Sequence, residues 1–399
     1  METTASASLL NITESEYLSF LINRAVHNNF SVALWRLPND ENKHLIISRQ
    51  HELLKPETPL EDLPMGFIFA PFDRSADRIF LKADFSFSFA HNTLQTNGNP
   101  LESTSTTWLH AEFRTIANQA PKYYHLKYHP ATAEKGTFLK LVHEAIKEIE
   151  SGTFEKIVPS RTQLINIPQD FDVVQTFQKL CNTNPNALVS FVSTSATGSW
   201  LGATPELLVS VENKTIFKTI ALAGTQAYHE GISLKAVAWT QKDIEEQALV
   251  ERYIIGCFKK IRLREFEEHG PKTVLAGDLL HLKSEFSVDM QATNFLQLGS
   301  VMLELLHPTS AVCGAPLEPS LEFLQKKEGY HRQFYSGYLG PVNFNNNINI
   351  YVNLRCSQLL EDKAILYAGA GVTIDSSPEH EWKETEMKMN TLLKVIGHE

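Results

Sequence analysis

Three β-forming runs near the C-terminus, at residues 337–342, 348–359 and 365–372, are separated only by short Gly- and Asn-rich turns. Strands joined this tightly pair antiparallel, because a parallel connection needs a crossover of a dozen residues or more. Asn345-Asn346-Asn347 fits the hairpin between two of them, since asparagine tolerates left-handed backbone. Further strand-like runs stand at 156–165, 187–193 and 207–211. Helical spacing places Phe138, Leu139, Leu141, Val142, Ala145, Ile146 and Ile149 on one face of a helix over 136–151. Longer helical patterns cover 235–264, 294–306 and 317–327, and Ser377-Pro378 suits the N-cap and first turn of a closing helix. The fold class is α/β in the broad sense, of the α+β kind, with large antiparallel sheets.

Apolar residues form 43% and charged residues 21% of the 399, enough for a substantial core. A net charge of −10 argues against nucleic acid as a partner, because phosphate contacts require clustered Lys and Arg. Cys181, Cys257, Cys313 and Cys356 are far apart in sequence, which argues against a zinc site or disulfide framework and fits a reducing compartment. Residues 1–15 lack the basic start and apolar run of a signal peptide, and no run approaches the roughly 18 apolar residues of a membrane span. The expectation is a cytoplasmic protein without a membrane partner, monomeric by default. The Asn-, Ser- and Thr-rich stretch 92–107 reads as a surface loop between a variable portion, 1–120, and the rest.

Several groups carry chemistry. On the closing helix, Glu381, Glu384 and Lys388 fall within about 60° of one another. Asp243 and Glu246, at i and i+3 in Lys242-Asp243-Ile244-Glu245-Glu246-Gln247, share a face in the same way. Taken singly, such steps are ordinary solvated helix surface; together they offer oxygen ligands for a hard cation. Glu206 follows Pro205 where the backbone turns into a strand, and Lys156 lies among β-formers. Each has an everyday reading as a surface residue. The glycines of Ala223-Gly224-Thr225, Tyr335-Ser336-Gly337 and Gly369-Ala370-Gly371 would let backbone approach an anion, with Arg355 gripping a carboxylate. His281 and His307 are lone histidines, a type found more often in packing than in function.

In order along the chain, these segments resemble the chorismate-utilising enzyme family, and within it the isochorismate synthases. The likeness rests on Lys156-Ile157-Val158-Pro159-Ser160-Arg161, Gly202-Ala203-Thr204-Pro205-Glu206, Leu222-Ala223-Gly224-Thr225 and Lys242-Asp243-Ile244-Glu245-Glu246. It continues through Leu280-His281-Leu282, Leu306-His307-Pro308-Thr309, Tyr335-Ser336-Gly337, Leu354-Arg355-Cys356, Ala368-Gly369-Ala370-Gly371 and Glu381-Trp382-Lys383-Glu384-Thr385. The resemblance covers about residues 130–397, the expected catalytic region; 1–120 correspond to a variable N-terminal portion of the same fold.

The resemblance implies one large domain with two central antiparallel sheets and helices outside. It also implies Mg2+ as cofactor and chorismate as substrate. By that likeness Glu246 and Glu384 hold the metal, with Glu381 and Asp243 acting directly or through water. Gly224, Thr225, His281, Tyr335, Arg355, Gly369, Ala370, Gly371 and Lys388 hold the substrate. The reaction implied adds water at one ring carbon as the hydroxyl two carbons away departs, with Lys156 as general base and Glu206 as general acid. Lys156 must then be partly neutral and Glu206 partly protonated. Ammonia-using relatives generally lack the lysine at 156, or carry one where Ala223 stands, so water is the expected nucleophile. A salicylate synthase, which goes on to eliminate pyruvate, is the alternative; a non-catalytic chorismate binder is another. Pro159 interrupts the strand of Lys156, and Gln247 replaces a histidine common in the family.

Overall fold

Alternate residues of single strands belong to different cores, and this sets the layering. Val32 and Leu34 face one apolar cluster, Ala33 and Trp35 another. The computed structural model describes residues 13–90, 93–95, 121–126, 134–228, 231, 233–276 and 279–397. Its helices are α1 (Glu14–His27), α2 (Lys135–Glu150), α3 (Val173–Thr183), α4 (Gln241–Lys260), α5 (Leu298–Leu306), α6 (Leu317–Lys327) and α7 (Pro378–Ile396).

Two nine-stranded antiparallel sheets form the middle. The first runs Thr93–Gln95, Phe85–Ala90, Lys43–Ser48, Ser31–Arg36, Leu188–Thr194, Gly198–Thr204, Cys356–Leu359, Lys363–Gly369, Ser160–Asn166. The second runs Glu267–Ala276, Leu279–Asp289, Ile216–Ala227, Leu207–Glu212, Ile348–Val352, Tyr338–Val342, Gly66–Ala70, Arg78–Lys82, Glu52–Leu54. Between them lie Trp35, Phe67, Phe69, Trp200 and Tyr351. Phe20 of α1, Phe177 of α3 and Leu392 of α7 cover the outer face of the first sheet. Ile254 and Phe258 of α4, with Met302 of α5, cover that of the second. Strands buried on both faces account for the near-continuous apolar runs. This is the expected α+β architecture.

Some boundaries move for identifiable reasons. The run 348–359 is two strands, Ile348–Val352 in the second sheet and Cys356–Leu359 in the first, with a corner at 353–355. Helix α4 starts at Gln241, not 235, because Thr240 and Asp243 close a capping box there. Ser377 stands at the N-cap of α7 without a side-chain capping bond. Asn345 and Asn346 have φ of 51° and 62°, the hairpin turn their sequence implies. Within 92–107, Thr93–Gln95 pairs as an edge strand; residues 92 and 96–107 lie outside those described. Residues 13–95 supply four strands of the first sheet and three of the second.

Candidate active site

The chain passes between the sheets at two neighbouring corners, and each presents a charged side chain. Gly198–Thr204 of the first sheet continues through Pro205-Glu206 into Leu207–Glu212 of the second. Ile348–Val352 returns through Asn353-Leu354-Arg355 to Cys356–Leu359, with Arg355 at φ 46°. The corners are tied together: Val352 N donates to Glu206 O at 2.9 Å, Ala203 N to Arg355 O at 3.1 Å, and Thr204 Oγ1 to Val352 O at 2.7 Å. Glu206 and Arg355 therefore face one cleft, lined also by Thr225, Glu246, His281, Tyr335, Glu384 and Lys388.

Burial raises the pKa of Glu206 to about 7, against the opposing pull of Lys156, Lys388 and Arg355. Burial and the neighbouring Arg355 cation push His281 down to about 3, so it is a neutral imidazole. Its Nδ1 lies 2.8 Å from Gly224 O, which can only accept. That assigns the proton to Nδ1 and leaves Nε2 to accept from Arg355 Nη2 at 3.2 Å. His281 thus orients the guanidinium. Burial lowers Arg355 to about 10, and it stays charged at neutrality.

Lys156 belongs to a two-residue strand, Lys156–Ile157, paired with Gly314–Ala315; Pro159 then separates it from Ser160–Asn166 at the edge of the first sheet. Its side chain is fully buried, and its Nζ donates to Glu246 Oε1 at 2.6 Å. Burial works to raise the Glu246 pKa, but Lys156 together with Lys388 and Lys242 outweighs it, and the group sits below the ordinary carboxylate value. Gly371 makes room for this pair: a Cβ there would stand 2.9 Å from Glu246 Oε1 and 3.2 Å from Lys156 Cε. The backbone of 369–371 was expected to face a ligand. Gly369 lines the cleft, Ala370 N donates to Pro159 O at 3.1 Å, and Gly369 O accepts from Lys388 Nζ at 2.9 Å.

The two acidic helices meet. Lys242 of α4 pairs with Glu381 of α7 at 2.9 Å, and Lys388 with Glu384 at 2.7 Å. His380, Glu381 and Glu384 offer ligand atoms within 4.8 Å of one another. Glu381 is wholly buried with its Oε2 unpartnered among the described residues, and Glu246 and Glu384 line the same cleft. Within the group of His380, Glu381 and Glu384, the two glutamates supply carboxylate oxygens, one of them unpartnered among the described residues, and oxygen ligands of this kind suit a hard divalent cation such as Mg2+. Asp243 Oδ2 accepts from Thr240 Oγ1 at 2.6 Å and so caps α4.

Tyr335 is buried, stacks on Tyr367 at 5.3 Å, and lines the cleft together with it, Ala368 and Gly369. Thr225 Oγ1 lies 3.4 Å from His281, and Gly224 has φ 65°, where a Cβ would stand 3.2 Å from Asp243 Cβ and 3.3 Å from the Trp239 ring. His307 does not join them. It packs edge-on against Tyr338 at 4.9 Å and lines a separate cleft of about 260 Å³ with Arg74 and Arg78. Gln247 is buried, donating to Ala221 O at 3.3 Å and Ser284 Oγ at 3.2 Å.

Sequence reasoning missed a buried clamp behind the cleft. Arg332 forks onto Glu328 at 2.7 Å and donates to Val158 O and Val312 O, both at 2.7 Å. Glu328 Oε1 in turn accepts from Ser160 N at 2.7 Å. The pair spans the end of α6 and Gly329, where no helical period signals it.

A family model described as "Chorismate binding enzyme" matches residues 74–397. The chain belongs to the chorismate-binding enzyme family. Within that family, isochorismate synthase EntC of Escherichia coli (strain K12) is 30% identical over 277 residues, 67% of this chain and 68% of that protein. Isochorismate synthase DhbC of Bacillus subtilis (strain 168) is 28% identical over 291 residues, 70% of this chain and 71% of that protein. The solved structure of MenF, the menaquinone-specific isochorismate synthase from Escherichia coli, superposes with a TM-score of 0.75 at 18% identity. That match covers 97% of this chain and 92% of MenF, and it places the chorismate-binding enzyme fold over nearly the whole length. No helix among the described residues is long and apolar enough to cross a membrane.

Proposed function

We propose that the protein is a magnesium-dependent isochorismate synthase. The observation that carries this reading is Glu206. It is a carboxyl raised to about 7 by burial, in the field of Lys156, in a cleft that also presents Glu246 and Glu384. A group so placed holds a proton near neutrality and can give it to a departing hydroxyl. The kinship with EntC and DhbC, both isochorismate synthases by name, supports chorismate as the substrate.

In this reading the oxygen of a water molecule bonds to a carbon at one end of the ring diene, both conjugated double bonds shift by one position, and the C–O bond on the carbon next to the diene's other end breaks. Lys156, in its neutral amine form, takes the proton of the water, and Glu206 protonates the leaving oxygen. Glu246 fixes the direction of Lys156 Nζ through their 2.6 Å contact. Arg355, held by His281, and Lys388, held by Gly369 O, present two cations to the anionic ends of the substrate. Glu246, Glu384 and Glu381 would hold the magnesium, whose charge would anchor a substrate carboxylate.

Incubating the protein with chorismate and Mg2+ and separating the products tests the whole. Isochorismate is the expected product. Salicylate with pyruvate would move the assignment to a salicylate synthase, and unchanged chorismate bound with measurable affinity would make the chain a binder only.

A further inference from the structure

Lys242 has no part in the reaction as drawn, yet it occupies a conspicuous place. It sits in the first turn of α4, and its Nζ donates to Glu381 Oε1 at 2.9 Å. Glu381 is wholly buried and keeps its second oxygen unpartnered among the described residues. Glu381 and Glu384 bring their oxygens within 4.8 Å of each other, Glu246 lines the cleft beside Glu384, and each carboxylate faces a lysine: Lys156 on Glu246, Lys388 on Glu384, Lys242 on Glu381.

The three lysines are not equivalent. Lys156 is fully enclosed, and Lys388 has a second anchor in Gly369 O. Lys242 has Glu381 as its one hydrogen-bond partner among the described residues, and its side chain is 26% exposed, so it has a way out to water. It also feels the charges of Glu384 and Glu246 in addition to that of Glu381.

We propose that Lys242 is the resident counter-ion of the divalent-cation site. It holds α4 and α7 together when the site lacks its metal, and it sets cation affinity by competing for Glu381. This inference rests on the magnesium reading above. Carboxylates as close as Glu381 and Glu384 repel one another without compensation, and a long flexible ammonium at their edge relieves that repulsion. The same ammonium repels an arriving dication and must leave Glu381 before that oxygen can serve it.

The test is calorimetric titration of MgCl2 into the substrate-free protein, which needs no turnover. Lys242→Met should bind Mg2+ more tightly than the parent by about tenfold, the size expected of one unit charge removed from the neighbourhood of a dication. Lys242→Arg should bind like the parent. In the absence of Mg2+ the Met variant should melt lower than the parent and recover on adding it. Should Lys242→Met fail to fold, Lys242→Gln serves the same comparison. If the parent binds Mg2+ and the variant binds it no more tightly, the counter-ion role is overturned while the magnesium reading stands. If neither binds, both fall.

Discussion

Glu206 and Lys156 show how far a side chain's role depends on what surrounds it. The position of Glu206 after Pro205 marked it as an acid at a turn, but its protonation follows from burial at a corner between two sheets, which local sequence does not encode. The sign follows directly. A carboxyl raised to about 7 keeps its proton below that pH and loses it above, so kcat should fall about tenfold per pH unit on the alkaline side. Glu206→Gln should lose most activity and that alkaline limb with it, as a pH–kcat profile would reveal. The unfolded chain sheds this proton near 4.5, so the group's contribution to stability is present below that pH and is lost as pH rises through about 7. For Lys156→Ala, kcat should drop by about 10²–10⁴ while calorimetry still detects chorismate. Turnover close to the parent's would remove Lys156 from the role of base.

At the scale of elements, legibility divided along physical lines. Helix α6 falls on the expected bounds, 317–327, because 3.6-residue periodicity is a local property. The run 348–359 read as one strand, since β-propensity is continuous across it; only pairing with strands distant in sequence splits it between sheets. The Gly369-Ala370-Gly371 segment suggested an anion-binding backbone; its last glycine also leaves room for a charged pair. Gly371→Ala would thrust a methyl to within 2.9 Å of Glu246 Oε1, displacing the Lys156–Glu246 pair. Steady-state kinetics should therefore show a large loss of kcat with a melting temperature little changed. The Arg332–Glu328 clamp gives the opposite signature. Both side chains are 3% exposed, so Arg332→Ala strands a buried carboxylate and should cost about 3–5 kcal/mol by denaturant unfolding. Replacing both members with apolar residues of similar volume should cost less than that single change.

Across the whole molecule, the two acidic helices come from opposite outer layers. Helix α7 packs Met389, Leu392 and Ile396 on the first sheet, while α4 packs Val250, Ile254 and Phe258 on the second. Each helix announced its carboxylates by spacing; that their N-terminal ends meet over one cleft is a product of topology, and the order of matching segments was the sole hint of it in the sequence. A cation gripped by Glu246 on α4 and by Glu384 on α7 would join layers that otherwise touch here through the Lys242–Glu381 pair. Unfolding separates those layers and destroys the site, so Mg2+ should stabilise the entire fold by mass action. At a hundredfold excess over its dissociation constant the gain is about 2.7 kcal/mol, or roughly 3 °C in melting temperature for a chain of this size. Glu246→Gln and Glu384→Gln should each abolish the Mg2+-dependent rise in a thermal melt, because each removes one layer's grip. Asp243→Asn should preserve it, since that carboxylate caps α4 through Thr240. A rise that survives loss of both glutamates would place the cation elsewhere and separate the two helices' acidity from metal binding.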